Sequence, residues 1–269
     1  MVARQRIPNI IHFVYGLDPS FGDKPFMLCH YLAIRSAFEV NRPDKIYFVC
    51  AYQPKTDWFE KVKPFIEIVI IKAPTEIFGN PLNHYAHQSD VIRLERLMNY
   101  GGIYLDIDTL CVRALTPLLN HNFVMAEEHV YWSENIDEPE QKAFAGLCNA
   151  VILGEKNSPF LLKWYNSYKT FRSKGHDDYW SEHSVTVPGQ LWREYPDEIT
   201  VLPEKAFFIP SYDDAGIKML FEEIHAFPEA YVHHLWESIG WKYLSSMTIE
   251  TIFNEDTTYN LMARRFLKD

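Results

Sequence analysis

Residues 84–111, HYAHQSDVIRLERLMNYGGIYLDIDTLC, carry a helix, a glycine break and a strand that ends in two carboxylates. From Ala86 to Tyr100 the apolar residues Val91, Leu94, Leu97 and Met98 recur at helical spacing, which predicts an amphipathic helix. Asp90 and Arg93 are three apart, so they are neighbours on its surface. Gly101 and Gly102 stand where a helix needs a left-handed residue to stop, and Ile103 to Ile107 then reads as a short buried strand. Asp106 and Asp108 lie two apart at its end, where an extended chain points both carboxylates to one side.

Two carboxylates at the carboxyl end of a strand lie where open α/β sheets bind ligands. A short acidic pair without a surrounding cage suits a divalent ion that keeps positions free for phosphate oxygens. The plainer reading is that these aspartates cap a turn, a common use of Asp. Against it, Asp106 is embedded in an apolar strand, where an unpaired charge is costly.

Upstream, Ile7 to Tyr15 (IPNIIHFVY) reads as a first strand ending at Gly16, and a polar loop, GLDPSFGDKP, follows. Phe26 to Val40 is helical in pattern and stops at Asn41-Arg42-Pro43. Lys45 to Tyr52 and Glu67 to Lys72 read as strands on either side of a short helix, Trp58 to Lys63, that Pro64 stops. Strands separated by helices predict a parallel sheet covered on both faces.

Downstream, Phe123 to Ala126 and Leu147 to Leu153 read as strands, and the polar segment 129–144 between them as a loop over the site. Pro159 to Arg172 reads as an aromatic-faced helix, and Ser173 to Pro203 as loops around short elements that could line a substrate pocket. Ala230 to Trp236 reads as a strand closing on a second polar cluster with Glu237 and Ser238, and Thr248 to Asp269 as one amphipathic helix. No repeat, low-complexity tract or domain boundary interrupts the pattern.

The 269 residues are 47% hydrophobic and 23% charged, which excludes a largely disordered chain. The net charge of -10 argues against a nucleic-acid binder, which needs a basic surface, but not against a nucleotide whose diphosphate a metal and an arginine neutralise locally. The four cysteines, Cys29, Cys50, Cys111 and Cys148, have neither zinc spacing nor a disulfide framework and read as buried thiols. No segment reads as a signal peptide or a membrane span, so the expectation is a cytosolic protein, or the soluble part of an enzyme whose anchor was removed.

Together, IPNIIHFVYG, SDVIRLERLMNYGGIYLDIDT and HLWESIGW resemble the DXD-type sugar-nucleotide glycosyltransferases of the family 32 kind. These include α1,4-galactosyl-, α1,4-N-acetylglucosaminyl- and yeast mannosyltransferases, with glucosylating clostridial toxins as distant relatives. The resemblance implies an α/β GT-A fold over residues 1–269 and transfer of a hexose with retention from a nucleotide sugar, UDP-hexose or GDP-mannose, to a hydroxyl acceptor such as a glycan. Residues 1–120 would mainly bind the donor, 121–247 would form the acceptor side, and 248–269 the terminal helix.

On the matching positions, Asp106 and Asp108 would hold Mn2+ or Mg2+ and through it the diphosphate, and Arg93 would add a positive fork, so these three are the candidate catalytic residues. Val14, Tyr15, Asp90, Arg93, Tyr104, Trp236 and Ser238 would contact the donor, Tyr15 by stacking on the base. His234, in a late His-x-Trp pattern, is the candidate third metal ligand, with His233 and Glu237 as alternatives. The chain departs from the pattern at Tyr15, where Trp is frequent, and at Glu237, where Asn is frequent.

Two other functions fit parts of the pattern. A haloacid-dehalogenase-like phosphohydrolase also has Asp-x-Asp after a strand, but near the chain start and with Thr or Val where Leu110 stands here. A catalytically silent nucleotide-sugar-binding protein would keep the same fold and donor contacts.

Overall fold

The computed structural model describes residues 5–132 and 141–267. The chain runs β1 (Ile10–Val14), α1 (Leu28–Asn41), β2 (Lys45–Cys50), α2 (Asp57–Val62), β3 (Glu67–Ile70), a small hairpin of β4 (Glu76–Ile77) and β5 (Asn80–Pro81), α3 (Tyr85–Tyr100), β6 (Gly102–Leu105) and β7 (Thr109–Cys111). It continues through β8 (Phe123–Trp132), β9 (Gln141–Gly154), α4 (Pro159–Ser167), α5 (Val187–Glu194), β10 (Thr200–Leu202), α6 (Asp214–Phe221), β11 (Val232–His234), α7 (Glu237–Leu244), α8 (Ile249–Asn254) and α9 (Thr258–Ala263).

Seven strands form one sheet in the order β10-β8-β9-β6-β1-β2-β3. β6, β1, β2 and β3 are parallel, while β9 is antiparallel to both β6 and β8. Successive residues of a strand face opposite sides, and the sheet obeys this closely. Ile11, Phe13, Ile103 and Leu105 pack against α1, and Val14 and Tyr104 pack against α3 and α4 on the other side. From β1 the chain steps outward through β2 and β3, then returns to place β6 on the opposite side of β1. The carboxyl ends of β1 and β6 thus flank a topological switch point, where a doubly wound sheet leaves a crevice.

The glycine break lies at the opposite, amino ends of the same two strands. Gly102 has φ +110, and a Cβ there would lie 2.4 Å from the Ile10 carbonyl oxygen of β1. Gly102→Ala therefore combines a disfavoured backbone with a steric collision and should cost about 3 kcal/mol of stability. Urea unfolding measures this; a loss below about 1 kcal/mol would mean that β1 and β6 separate easily at this point.

Several expectations are corrected. Asp106-Ile107-Asp108 is a turn between β6 and β7, not the end of an extended strand, and the Thr109 hydroxyl donates to the Asp106 carbonyl at 2.7 Å to close it. The stretch 129–144, expected as a loop, continues β8 and β9 as an antiparallel hairpin in its described part, with His129 opposite Phe144 and Tyr131 opposite Lys142. Its centre, 133–140, lies outside the described residues. VPGQLW forms most of α5, because Pro188 falls in the first helical turn, where no amide donor is required. The C-terminal segment is two short helices, α8 and α9, since Thr257 caps a new start by accepting from the Asn260 amide at 3.2 Å. All four cysteines are free and buried, as expected. No described helix is long and apolar enough to cross a membrane.

Candidate active site

The turn after β6 brings Asp106 and Asp108 to the crevice, and a second, distant segment is delivered to them by strand pairing. β11 runs antiparallel to β7 with His234 opposite Thr109 and His233 opposite Leu110, and the Leu235 amide donates to the Asp108 carbonyl at 2.8 Å. Donor atoms of Asp106, Asp108 and His234 lie within 4.8 Å of one another. His234 Nε2 is 3.3 Å from Asp108 Oδ2, while its buried Nδ1 has no hydrogen-bond partner among the described residues. His233 faces the other way, bonded through Nδ1 to the Ile209 carbonyl at 3.0 Å. Of the three alternatives, His234 is the one that converges on the aspartates; the Glu237 carboxylate pairs elsewhere, and its backbone amide donates to Asp108 Oδ2 at 2.8 Å.

The two carboxylates are electrostatically unequal. Burial pushes the Asp106 pKa up, and repulsion from Asp108 adds to this, against the attraction of Arg93. Burial acts on Asp108 in the same sense but is outweighed by His234 and the Glu237 amide, which hold its pKa well below the usual carboxylate range. Two carboxylates and an imidazole in this arrangement fit a divalent cation of the first-row or magnesium type, and the orphaned His234 nitrogen leaves that side chain unsaturated.

Behind the turn, α3 contributes a buried network. Arg93 Nη1 bonds the Asn149 carbonyl at 2.8 Å and pairs with Asp106 Oδ1 at 3.2 Å. Its Nη2 pairs with Asp90 Oδ1 at 3.2 Å and reaches Ser89 Oγ at 3.3 Å, while Nε reaches the Ser89 carbonyl at 3.4 Å. The guanidinium lies over the Tyr104 ring, and the Tyr104 hydroxyl donates to Asp106 Oδ1 at 2.6 Å. Asp90 also accepts from the Asn149 side chain at 2.7 Å. Asp90 and Tyr104 are buried and hold Arg93 and Asp106, and neither lines the cavity in front of them.

That cavity, of about 210 Å³, is walled by Val14, Tyr15, Lys24, Arg93, Asp106 and Asp108, with Ser89, Tyr85 and Glu237 among its other sides. Through Leu17, Asp18 and Tyr85 it joins a larger open cleft of about 950 Å³ that reaches Tyr52 after β2 and Ile70–Lys72 after β3. Tyr15 is half-buried among Phe21, Phe26, His30 and Phe48, and its hydroxyl donates to the Lys24 carbonyl at 2.6 Å. Trp236 stands beside His234, ring centroids 4.0 Å apart, with its indole N–H on the Pro210 carbonyl, but outside the cavity wall. Ser238 is exposed in the first turn of α7.

Lys24 and Asn149 escaped the sequence reading as site residues. Asn149 had a detectable signal, a polar side chain within the apolar run LCNAVIL. Lys24 had none beyond its place in the loop after the first strand.

Comparison with known proteins agrees with this geometry. Residues 32–125 match the family described as "Glycosyltransferase sugar-binding region containing DXD motif". Glucan organizing enzyme 1 of Cryptococcus neoformans is 36% identical over 273 residues, covering 97% of this chain and 71% of that protein. The chain belongs to the DXD glycosyltransferases. Inositol phosphoceramide mannosyltransferase 3 of Schizosaccharomyces pombe is 32% identical over 116 residues, which cover 41% of this chain and 29% of that protein. Among solved structures, the glycosyltransferase GlyE of Streptococcus pneumoniae has a TM-score of 0.53 at 13% identity, covering 97% of this chain and 61% of that one. At that identity the likeness concerns the fold, which is GT-A: a mixed α/β glycosyltransferase with a mostly parallel sheet. DXD glycosyltransferases of this fold generally bind a divalent metal.

Proposed function

We propose that this glycosyltransferase moves a hexose from a nucleoside-diphosphate sugar to a hydroxyl acceptor, a glycan among the candidates, with a divalent cation bound and with retention of anomeric configuration. The observation that carries the reading is the convergence of Asp106, Asp108 and His234 beside Arg93 and Lys24, at the carboxyl ends of β1 and β6. In this reading the nucleoside occupies the wide cleft toward β2 and β3, and the diphosphate crosses to the smaller cavity. Residues 1–120 then supply most of the donor side, and the hairpin of β8 and β9 with the segments after it flanks the acceptor.

Asp106, Asp108 and His234 would hold Mn2+ or Mg2+, which when bound supplies Lewis-acid stabilisation of the departing diphosphate. The Arg93 charge opposes the burial that raises the Asp106 pKa, and the Asn149 carbonyl and Asp90 hold the guanidinium in place. The Glu237 amide keeps a lone pair of Asp108 occupied and so orients that carboxylate. Asp90 is engaged by Arg93 and Asn149 and does not line the cavity. This favours departure and attack on one face over a covalent glycosyl–Asp90 step.

UDP-hexose is the donor proposed first. GDP-mannose is the second reading, favoured by similarity to a protein named as a mannosyltransferase. A panel of nucleotide sugars with Mn2+, scored by thermal stabilisation, tests both. Saturation at a hundred times the dissociation constant should add about 2.7 kcal/mol of stability by mass action, and only with metal present. If no donor stabilises the protein, the nucleotide-sugar reading falls.

A further inference from the structure

Two cations line the described wall of the donor cavity, Arg93 and Lys24, and they are not equally available. The Arg93 guanidinium is already engaged inside the protein: it donates hydrogen bonds to the Ser89 carbonyl, Ser89 Oγ and the Asn149 carbonyl, and forms ion pairs at 3.2 Å with Asp90 and Asp106. Lys24 differs. Its ammonium is 3.8 Å from Glu237 Oε2, beyond hydrogen-bond length, and lies 5.1 Å from the centre of the Trp241 ring. Its side chain is 23% exposed, against 6% for Arg93.

The groups around Lys24 aim it. Phe21, Gly22 and Asp23 all have positive φ, a tight reversal that delivers Lys24 to the cavity, and the Tyr15 hydroxyl anchors its carbonyl. Glu237 holds the other end: its Oε1 is 2.8 Å from His30 Nε2. His30 Nδ1 accepts the Met27 amide at 2.9 Å, which places the imidazole proton on Nε2, facing Glu237. The same Glu237 donates its amide to Asp108, so one residue sets the position of Lys24 relative to the acidic pair.

On the reading of this cavity as a nucleoside-diphosphate-sugar site, we propose that Lys24 is the protein cation that contacts the donor diphosphate, and that Glu237, anchored by His30, is its positioning residue. As the sugar departs, its bond to the phosphate oxygen breaks with both electrons staying on that oxygen. The acceptor hydroxyl oxygen (water in hydrolysis) forms the new bond to the anomeric carbon and passes its proton to the leaving diphosphate, and a point positive charge at Lys24 stabilises that leaving group. Glu237, where relatives of the resembling group frequently carry Asn, thereby has a role other than direct metal ligation.

The test compares ligands that differ only in phosphate. Binding of UDP to the full chain with Mn2+ is measured by calorimetry, and binding of uridine by ligand-observed NMR, with GDP and guanosine in parallel. Lys24→Ala should weaken the diphosphate by roughly tenfold to a hundredfold, leave the nucleoside unchanged and leave ligand-free thermal stability near wild type. Lys24→Arg should recover most of the loss. Glu237→Gln should show a smaller, equally phosphate-dependent loss, with kcat for donor hydrolysis falling more than KM rises. Equal weakening of nucleoside and diphosphate, or unchanged UDP and GDP affinity in Lys24→Ala, overturns the proposal. Failure of the wild-type chain to bind either diphosphate overturns the nucleotide-sugar reading, and with it the premise of the Lys24 assignment.

Discussion

Asp108→Asn is expected to lower turnover about a thousandfold, close to 4 kcal/mol of transition-state stabilisation. The argument is electrostatic and not steric. Asparagine has almost the same shape, and its carbonyl oxygen can still accept the Glu237 amide that now bonds Asp108 Oδ2 at 2.8 Å. The substitution removes one of the two negative charges that, with His234, form the divalent-cation site. Asp108 is also the carboxylate whose surroundings favour ionisation most, with His234 3.3 Å away, so it is the dependable anion of the pair. Asp106 sits in surroundings that push its pKa up, with Arg93 as the chief opposing attraction. Steady-state donor hydrolysis, paired with Mn2+-dependent thermal stabilisation by the nucleotide sugar, checks the prediction. Turnover within about threefold of wild type, less than 1 kcal/mol, would remove Asp108 from the cation site.

How far the sequence leads to this site depends on whether the signal is local. The α3–β6 unit was readable because helical period, glycine stop and apolar strand all fall within one stretch: a helix expected from Ala86 to Tyr100 is observed from Tyr85 to Tyr100. The predicted strand runs too far because Ile107 is apolar, although the chain has already turned there. β8 and β9 extend beyond their predicted lengths for the opposite reason: Glu127, Glu128 and His129 interrupt the hydrophobic pattern while the backbone ladder continues. Choosing between His233 and His234 required the register of β11 on β7, a contact between segments more than a hundred residues apart, and one step of slippage exchanges the two faces. Lys24 is a similar case, since its role depends on Arg93 being engaged by its own buried partners and on Glu237 standing opposite, neither of which is encoded near residue 24.

Arg93→Met should destabilise the protein by about 3–5 kcal/mol, the cost of breaking a buried ion pair from one side. The methionine covers the Tyr104 ring about as well as the arginine stem does, so the loss is one of charge and hydrogen bonds more than of packing. What remains is Asp90, 6% exposed and bonded only to Asn149 among the groups described around it, together with Asp106, which loses the attraction that opposes its burial. Pairing the change with Asp90→Asn separates the contributions: the double variant should recover roughly 1–3 kcal/mol of the loss, because the orphaned charge is gone. Urea unfolding of the two single variants and the double variant closes the cycle. The result also decides between two uses of the arginine. A buried guanidinium engaged by Ser89, Asn149, Asp90 and Asp106 makes Arg93 a brace for Asp106, whose removal shows mainly in stability. If Arg93→Met instead costs under about 1 kcal/mol while donor affinity collapses, the fork is free in solution, Arg93 and not Lys24 meets the diphosphate, and the division of labour between the two cations is the reverse of the one drawn from the geometry.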